Sequence, residues 1–245
     1  MQNLEFFMKD NIFKDKNEKS PDSVTLNTLR AAVLGANDGI VSVSSIIVGV
    51  AGATNDPKTI FTAGLAGLVA GALSMAVGEY VSVSSQRDSE EAMLEREELK
   101  LKDNPEQEEK ELKELYMEKG LSEKTSSIVA KEFMKHDPLV AHAEAELGIT
   151  PGELASPTDA AISSGVSFTI GALIPLVAVM LPPDEWRVPA TFIAVLFALI
   201  LTGTLSAHVG GARKTVATAR VVLGGIVAML ITFGVGSLVG QHQVF

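Results

Sequence analysis

The chain has 245 residues, 47% of them hydrophobic, and a formal net charge of −10. Nearly all of the excess acidic charge falls in residues 87–154, so the acidity belongs to one segment and not to the whole protein. The chain has no cysteine. This excludes disulfides, thiolate metal sites and a cysteine nucleophile, and it leaves Asp, Glu, His, Met and backbone oxygen as possible metal ligands.

The N-terminal residues 1–20 are polar, with one short apolar patch from Leu4 to Met8. The patch is too short, and its surroundings are too charged, for the core of a signal peptide. We therefore predict that residues 1–28 form a flexible cytosolic tail.

Five stretches are long and apolar enough to cross a bilayer, whose hydrocarbon core of roughly 30 Å needs about 20 residues of helix. They are residues 29–53, 59–83, 158–181, 188–210 and 217–240. Short loops containing Pro, Gly, Asn or Asp join these spans, except between the second and the third. The sequence thus predicts an all-α membrane protein with five transmembrane helices. Two membrane segments, 29–86 and 155–245, flank an insert at 87–154.

The insert is rich in Glu, Lys, Leu, Met and Ala, which favours helices. Predicted breaks occur at Asn104-Pro105, Gly120, Asp137-Pro138 and Gly148. No breaker lies between Tyr80 and Lys102, so the second membrane helix is predicted to continue into the insert. Lys and Arg concentrate in the tail and in the loop before the fifth span. By the positive-inside rule, we expect a cytosolic N-terminus and insert and an external C-terminus.

One carboxylate lies within the first span. Asp38 shares a helical stripe with small and hydroxyl residues: Ala31, Gly35, Ser42, Ser45 and Gly49. Such a stripe is not expected to face lipid. An intramembrane carboxylate can anchor helix–helix hydrogen bonds, but it more often lines an ion or proton path.

The second span offers sulfur and carboxylate one turn apart, at Met75 and Glu79. A Met on a membrane helix is most often packing filler, because its thioether adapts to many surroundings. Next to an acid, however, a thioether favours softer ions such as Fe2+ over Mg2+ or Ca2+.

The insert contains a further set of possible ligands. Glu97 is predicted at the end of one helix, Glu108 and Glu111 share a face at i,i+3, and His142 and Glu146 share a face at i,i+4. These side chains either converge on metal ions or belong to a solvated acidic surface with interspersed lysines. Spacing leaves both interpretations open.

Several enzyme motifs are missing from the chain: Glu-x-x-His, His-Glu-x-x-His, Gly-x-Ser-x-Gly and the phosphate-binding Gly-x-x-x-x-Gly-Lys-Ser/Thr. The sequence also has no basic nucleic-acid surface. We therefore predict no enzyme, no prosthetic group and no nucleic-acid partner. Any transport would be driven by an ion gradient or would run downhill.

Two long motifs resemble the vacuolar iron transporter family: RAAVLGANDGIVS at 30–42 and GALSMAVGEYVSV at 71–83. Shorter stretches also fit, namely NPEQE at 104–108, AELG at 145–148 and GALIP at 171–175. The resemblance covers about residues 29–240. It implies a homodimer of five-span protomers that exports Fe2+, and often Mn2+, from the cytosol in exchange for protons. The ion path would lie at the dimer interface, lined by the first two spans.

By position, Asp38 and Met75 match the family's membrane-path residues, and Glu79 falls at its intramembrane acid. Four insert residues match acidic ligands of the family's cytosolic metal-binding domain: Glu97, Glu108, Glu111 and Glu146. Two departures from plant members stand out. Lys100 replaces a ligating Glu, and His142 with Ala143 replaces a Met pair. His142 remains a plausible borderline ligand.

The resemblance favours a proton-coupled Fe2+/Mn2+ exporter whose insert collects metal. One alternative is a membrane-anchored iron sensor or buffer whose spans only dimerise, and another is a carrier for an organic solute. The expected location is the plasma membrane in a prokaryote and the vacuolar membrane in a eukaryote, and the missing targeting extension would fit a bacterium.

Overall fold

The computed structural model describes residues 23–242. Over these residues the chain is helical and contains no strand. The helices are α1 (Ser23–Ala53), α2 (Pro57–Asp103), α3 (Pro105–Glu118), α4 (Glu123–His136), α5 (Pro138–His142), α6 (Pro157–Met180), α7 (Arg187–Val209) and α8 (Lys214–His242). A π-helical turn, Ala143–Leu147, follows α5, and a 3-10 turn, Asp184–Trp186, precedes α7.

Five helices are long and apolar enough to cross a membrane. The candidate spans are Thr28–Ala53, Pro57–Asp103, Pro157–Met180, Asp184–His208 and Lys214–Gln241. The prediction of an all-α chain with five candidate membrane-spanning helices is therefore confirmed. As the lack of a breaker predicts, α2 continues well beyond Tyr80. Most of the predicted tail, 1–28, lies outside the described residues, but its final part from Ser23 onward belongs to α1.

The described chain forms two compact units. The first, the membrane unit, comprises residues 27–89 and 156–242, and the second, the acidic unit, comprises residues 90–155. The division falls within α2, and each unit has its own apolar core.

Helix α1 contributes to two apolar clusters of the membrane unit. The first cluster contains Val43, Ile47, Ile60, Leu68, Phe168, Ala172, Leu176 and Val179. The second contains Ile40, Val48, Val195, Ala198, Leu199 and Met229. Val43 and Ile47 enter the first cluster, and Ile40 and Val48 enter the second. Helix α1 therefore packs against α2 and α6 on one side and against α7 and α8 on another.

Glycines bring the backbone of α6 against α1. A Cβ added at Gly35 would collide with the Ser164 carbonyl oxygen, and one added at Gly39 would collide with the Phe168 carbonyl oxygen. Small residues let two helix backbones approach this closely in lipid. Gly35 and Gly39 therefore allow the close approach of α1 and α6.

The other end of α1 contacts α8 in the same way. A Cβ at Gly52 would lie 2.7 Å from the Phe233 carbonyl oxygen, and a Cβ at Gly236 would collide with the Gly49 carbonyl oxygen. Glycines on both helices therefore determine how closely they pack.

Arg187 connects two loops of the membrane unit. Its Nη1 donates to the Asn55 carbonyl oxygen at 3.2 Å, and its Nη2 lies 2.8 Å from Asp184 Oδ1. At the start of α2, the Thr59 hydroxyl and backbone N–H donate to Asp56, and these bonds lower the pKa of that carboxyl. The two loops at this end of the helices are thereby held together.

In the acidic unit, α3, α4 and α5 pack around Leu112, Ala130 and Ala141. The helices begin and end at local signals. Ser122 Oγ accepts from the Thr125 N–H at the start of α4, and Asp137 Oδ1 accepts from the Val140 N–H at the start of α5. The predicted breaks at Asn104-Pro105, Gly120, Asp137-Pro138 and Gly148 are all confirmed.

We expect Gly236→Ala to destabilise the membrane unit by about 1–3 kcal/mol, because its methyl group meets a backbone carbonyl that cannot rotate away. Gly234, in the same helix, has open space around it and is the matched control. Gly234→Ala should leave stability unchanged or raise it by up to about 1 kcal/mol, since Ala favours helix more than Gly. Thermal unfolding of the detergent-solubilised protein measures both, and equal midpoints for the two variants would contradict the packing argument.

Candidate metal centre

Three helices of the acidic unit bring two carboxylates and one imidazole together. Glu97 lies in α2, Glu108 lies in the first turn of α3, and His142 is the last residue of α5. Each offers one ligand atom, and these atoms lie within 4.8 Å of one another. The sequence predicted Glu97 at a helix end. This was wrong, because α2 continues to Asp103.

His142 Nδ1 lies at the centre of the cluster. It is 3.0 Å from Glu97 Oε1, 3.7 Å from Glu146 Oε2 and 3.9 Å from Glu108 Oε2. The exposed fraction is 0% for His142, 1% for Glu97 and 5% for Glu108. Glu97, Glu108 and His142 are therefore buried, and the alternative of a solvated acidic surface does not hold for them.

The inward-facing atoms of this cluster have no hydrogen-bond partner within the described part of the chain. They are Glu97 Oε1, Glu108 Oε2, Glu146 Oε2 and both ring nitrogens of His142. Buried polar atoms are nearly always hydrogen-bonded in native proteins, so several orphaned acceptors at one point indicate a missing ligand. Carboxylate oxygen with imidazole nitrogen suits a divalent transition metal ion. The residues thus fit a metal site.

Glu146 joins the cluster from the π-helical turn, whose extra residue per turn often marks functional positions. It is less enclosed than the other three, with its side chain 24% exposed. The turn closes where the Ile149 N–H donates to the Ala143 carbonyl oxygen at 2.9 Å, and Gly148 then leaves the helix with φ +66°. The predicted shared face of His142 and Glu146 is confirmed, because Glu146 Oε2 lies 3.7 Å from His142 Nδ1.

Burial raises the pKa of Glu108, and the negative charges of Glu111 and Glu97 raise it further, while His142 and Lys100 oppose the shift. Glu111 lies one turn from Glu108 on α3 and acts on the cluster through this charge. It is not one of the three residues whose ligand atoms converge. Among the predicted insert ligands, Glu111 is therefore peripheral.

The sequence reasoning missed two ion pairs in the cluster, both made by Lys100. Lys100 Nζ lies 2.8 Å from Glu97 Oε2 and 3.4 Å from Glu146 Oε1. The i,i+3 spacing from Glu97 to Lys100 was a signal for the first of these ion pairs. The second joins residues far apart in the chain. The hydrogen bond from Lys100 to Glu97 raises the pKa of Lys100 above the ordinary lysine value, so the ammonium stays charged.

In the membrane unit, the predicted path residues Asp38, Met75 and Glu79 each contact different groups. Asp38 is exposed and accepts a hydrogen bond from Ser42 Oγ at 3.0 Å, whereas Gly35, on the same predicted stripe, is buried against α6. Met75 packs against the first apolar cluster. Glu79 Oε1 lies 3.9 Å from Arg30 Nη2, a pair that sequence reasoning also missed.

These features define an integral membrane protein of five candidate spans with a buried carboxylate–imidazole cluster in a separate helical unit. The VIT family model matches residues 29–237, and the chain belongs to this family.

Relatives of the chain also carry the names of transporters of this family. A protein from Acanthamoeba castellanii named "Vacuolar iron transporter" is 45% identical over 215 residues, which are 87% of this chain and 79% of the relative. "Vacuolar iron transporter homolog 1" of Arabidopsis thaliana is 38% identical, over 88% of this chain and 84% of its own length. "VIT-like transporter 1b" of Glycine max is 35% identical, over 86% and 76%. The family and these names indicate a transporter and not an enzyme.

The raised pKa of Glu108 has a consequence for metal-free protein. The folded chain holds this proton more tightly than the unfolded chain. The stabilisation is therefore present below the ordinary Glu pKa of 4.5 and is lost as the pH rises through the raised value. We expect Glu108→Gln to remove this loss and to stabilise the metal-free protein by about 1 kcal/mol at neutral pH. Glu106→Gln, an exposed position on the same helix, is the control. Parallel pH–stability curves for wild type and Glu108→Gln would contradict the assignment.

Metal binding should stabilise the folded protein through His142. At a free Fe2+ concentration of 100 times Kd, under anaerobic conditions, linkage gives about 2.7 kcal/mol. His142→Ala should lose most of this increment, whereas His136→Ala, an exposed imidazole at the end of α4, should keep it. The measurement is the shift in thermal midpoint on adding metal, within each variant. An equal shift in all three proteins would place metal binding elsewhere.

Proposed function

We propose that this chain is a membrane transporter that exports Fe2+, and also Mn2+, from the cytosol in exchange for protons. In this proposal the acidic unit is cytosolic and collects metal, and the first two spans carry it across the membrane. The observation that carries the proposal is the buried group of Glu97, Glu108 and His142, whose ligand atoms converge and lack partners within the described residues.

The ligand chemistry supports transition metal as cargo. Three carboxylates alone would favour hard ions such as Mg2+ or Ca2+, whereas an imidazole at their centre shifts the preference toward Fe2+ and Mn2+. The names of the relatives agree with iron. In the membrane unit, Met75 adds a thioether that favours the softer of these ions.

The environment of Asp38 supports a path between two protomers. A carboxylate facing hydrocarbon at the centre of a span costs about 2.5–3.5 kcal/mol or more, so an exposed Asp38 on the protomer calls for a partner or water beside it. The neighbouring helix α2 exposes Leu73 and Val77. A homodimer in which α1 and α2 face their symmetry mates would enclose Asp38 and cover these side chains.

Proton exchange follows from the same groups. Asp38 and Glu79 can hold either a proton or part of a metal ion's coordination shell, and a carboxylate that alternates between them couples the two fluxes. Arg30 beside Glu79 balances the carboxylate charge when no metal is present. With the N-terminus and acidic unit in the cytosol, the proposed membrane is the vacuolar one in a eukaryote and the plasma membrane in a prokaryote.

A second function, a membrane-anchored iron sensor or buffer, is supported by the same acidic cluster. It requires metal binding but no flux. It leaves the exposed Asp38 on a membrane helix without a role. Flux measurements therefore distinguish the two functions.

The test is Fe2+ uptake into proteoliposomes with an acidic interior. We expect the pH gradient to enhance uptake in wild type, and Asp38→Asn to reduce it by at least about tenfold, because the amide keeps the size of the carboxylate and loses its charge. Glu108→Ala/Glu111→Ala should slow uptake without abolishing it. Glu106→Ala/Glu114→Ala, which removes two exposed acids from the same helix, should leave it unchanged.

Two results would contradict the proposal, the first its transport function and the second the role of Asp38. One is wild-type protein that binds Fe2+ and transports neither Fe2+ nor Mn2+, which would favour the sensor or buffer. The other is full uptake by Asp38→Asn, which would remove Asp38 from the path. Uptake that ignores the pH gradient would reject proton exchange alone.

A further inference from the structure

Lys100 and His142 lie next to different oxygens of the same two carboxylates. It contacts Glu97 Oε2 at 2.8 Å and Glu146 Oε1 at 3.4 Å. The remaining oxygens, Glu97 Oε1 and Glu146 Oε2, face His142 Nδ1 at 3.0 and 3.7 Å. Each carboxylate thus has one oxygen held by the ammonium and one oxygen without a partner at the imidazole.

This division orients the ligands. The oxygens that Lys100 leaves free are the ones that surround the imidazole together with Glu108 Oε2. An ammonium that holds one oxygen of a carboxylate restricts its rotation, so the free oxygens stay directed at one point. Metal binding at that point requires little rearrangement.

The charge of Lys100 also limits how many ions the cluster can hold. The carboxylates of Glu97, Glu108 and Glu146 carry three negative charges. The Lys100 ammonium neutralises one of these charges, and a single divalent ion neutralises the other two. A second divalent ion would need the oxygens that Lys100 occupies and would repel its charge at close range.

We infer that Lys100 is a positioning residue that occupies a second cation position of the cluster and restricts the cluster to one divalent ion. This rests on the metal site of the proposed function. It identifies the acidic unit as a single-ion site. The ammonium does not ligate metal. It acts through the two carboxylates that it holds.

The test counts Mn2+ bound to the full-length protein in detergent by equilibrium dialysis and records its EPR spectrum. Lys100→Glu replaces the cation with a ligand and releases Glu97 Oε2 and Glu146 Oε1. We expect it to bind about one more Mn2+ per chain than wild type, with spin coupling between two ions about 3.5–4 Å apart. Lys100→Arg keeps the charge and should bind as many ions as wild type.

Lys102→Glu is the matched control. Lys102 lies on the same helix and pairs with the exposed Glu98 at 2.7 Å, so its replacement changes net charge equally without touching the cluster. It should gain no ion. The inference is overturned if Lys100→Glu binds no additional ion or if Lys102→Glu gains one too.

His142→Ala separates this inference from the proposed function. If His142→Ala binds as much Mn2+ as wild type, the metal site itself is wrong. If His142→Ala loses about one ion and Lys100→Glu gains none, the metal site stands and only the role of Lys100 fails.

Discussion

The close contact of α1 with its neighbours is the constraint on which the membrane unit depends. Lipid tails are as apolar as leucine, so burial of hydrophobic surface does not by itself drive helices together in a bilayer. Backbone contact through glycine replaces it, at Gly39 of α1 against α6 and at Gly236 of α8 against α1. With these two sides of α1 occupied, Asp38 lies on a side of α1 that is exposed. The packing that stabilises the helices thereby also determines where the one carboxylate of the first span lies.

The acids of the two units are balanced by nearby groups of the chain itself. Glu97 and Glu146 share Lys100, Glu79 has Arg30 within 3.9 Å, and Asp38 accepts from Ser42. In the proposed transport, a metal ion that binds Glu79 competes with Arg30, whereas in the acidic unit Lys100 holds oxygens other than those that face His142. In the proposed transport cycle such competition keeps binding weak enough for release.

Much of the fold could be predicted because its signals are local. The breaks at Asn104-Pro105 and Gly148 depend on a proline that cannot continue a helix and a glycine that adopts a positive φ, and both act within one turn. The candidate site could be predicted only in part. Spacing placed Glu108 with Glu111 and His142 with Glu146, but it could not bring these pairs to Glu97. It also ranked Glu108 and Glu111 alike, although only Glu108 enters the cluster.

The sequence by itself determined the number of candidate spans, the helical insert and its breaks, and the motifs of the VIT family, because each depends on residues adjacent in the chain. The tertiary structure decided which acids are buried and what they contact. The contact of His142 with Glu97 and the bridge from Lys100 to Glu146 each join residues more than forty positions apart. Desolvation and ion pairing act through space, so the chemistry of this cluster exists only once the helices of the acidic unit have packed.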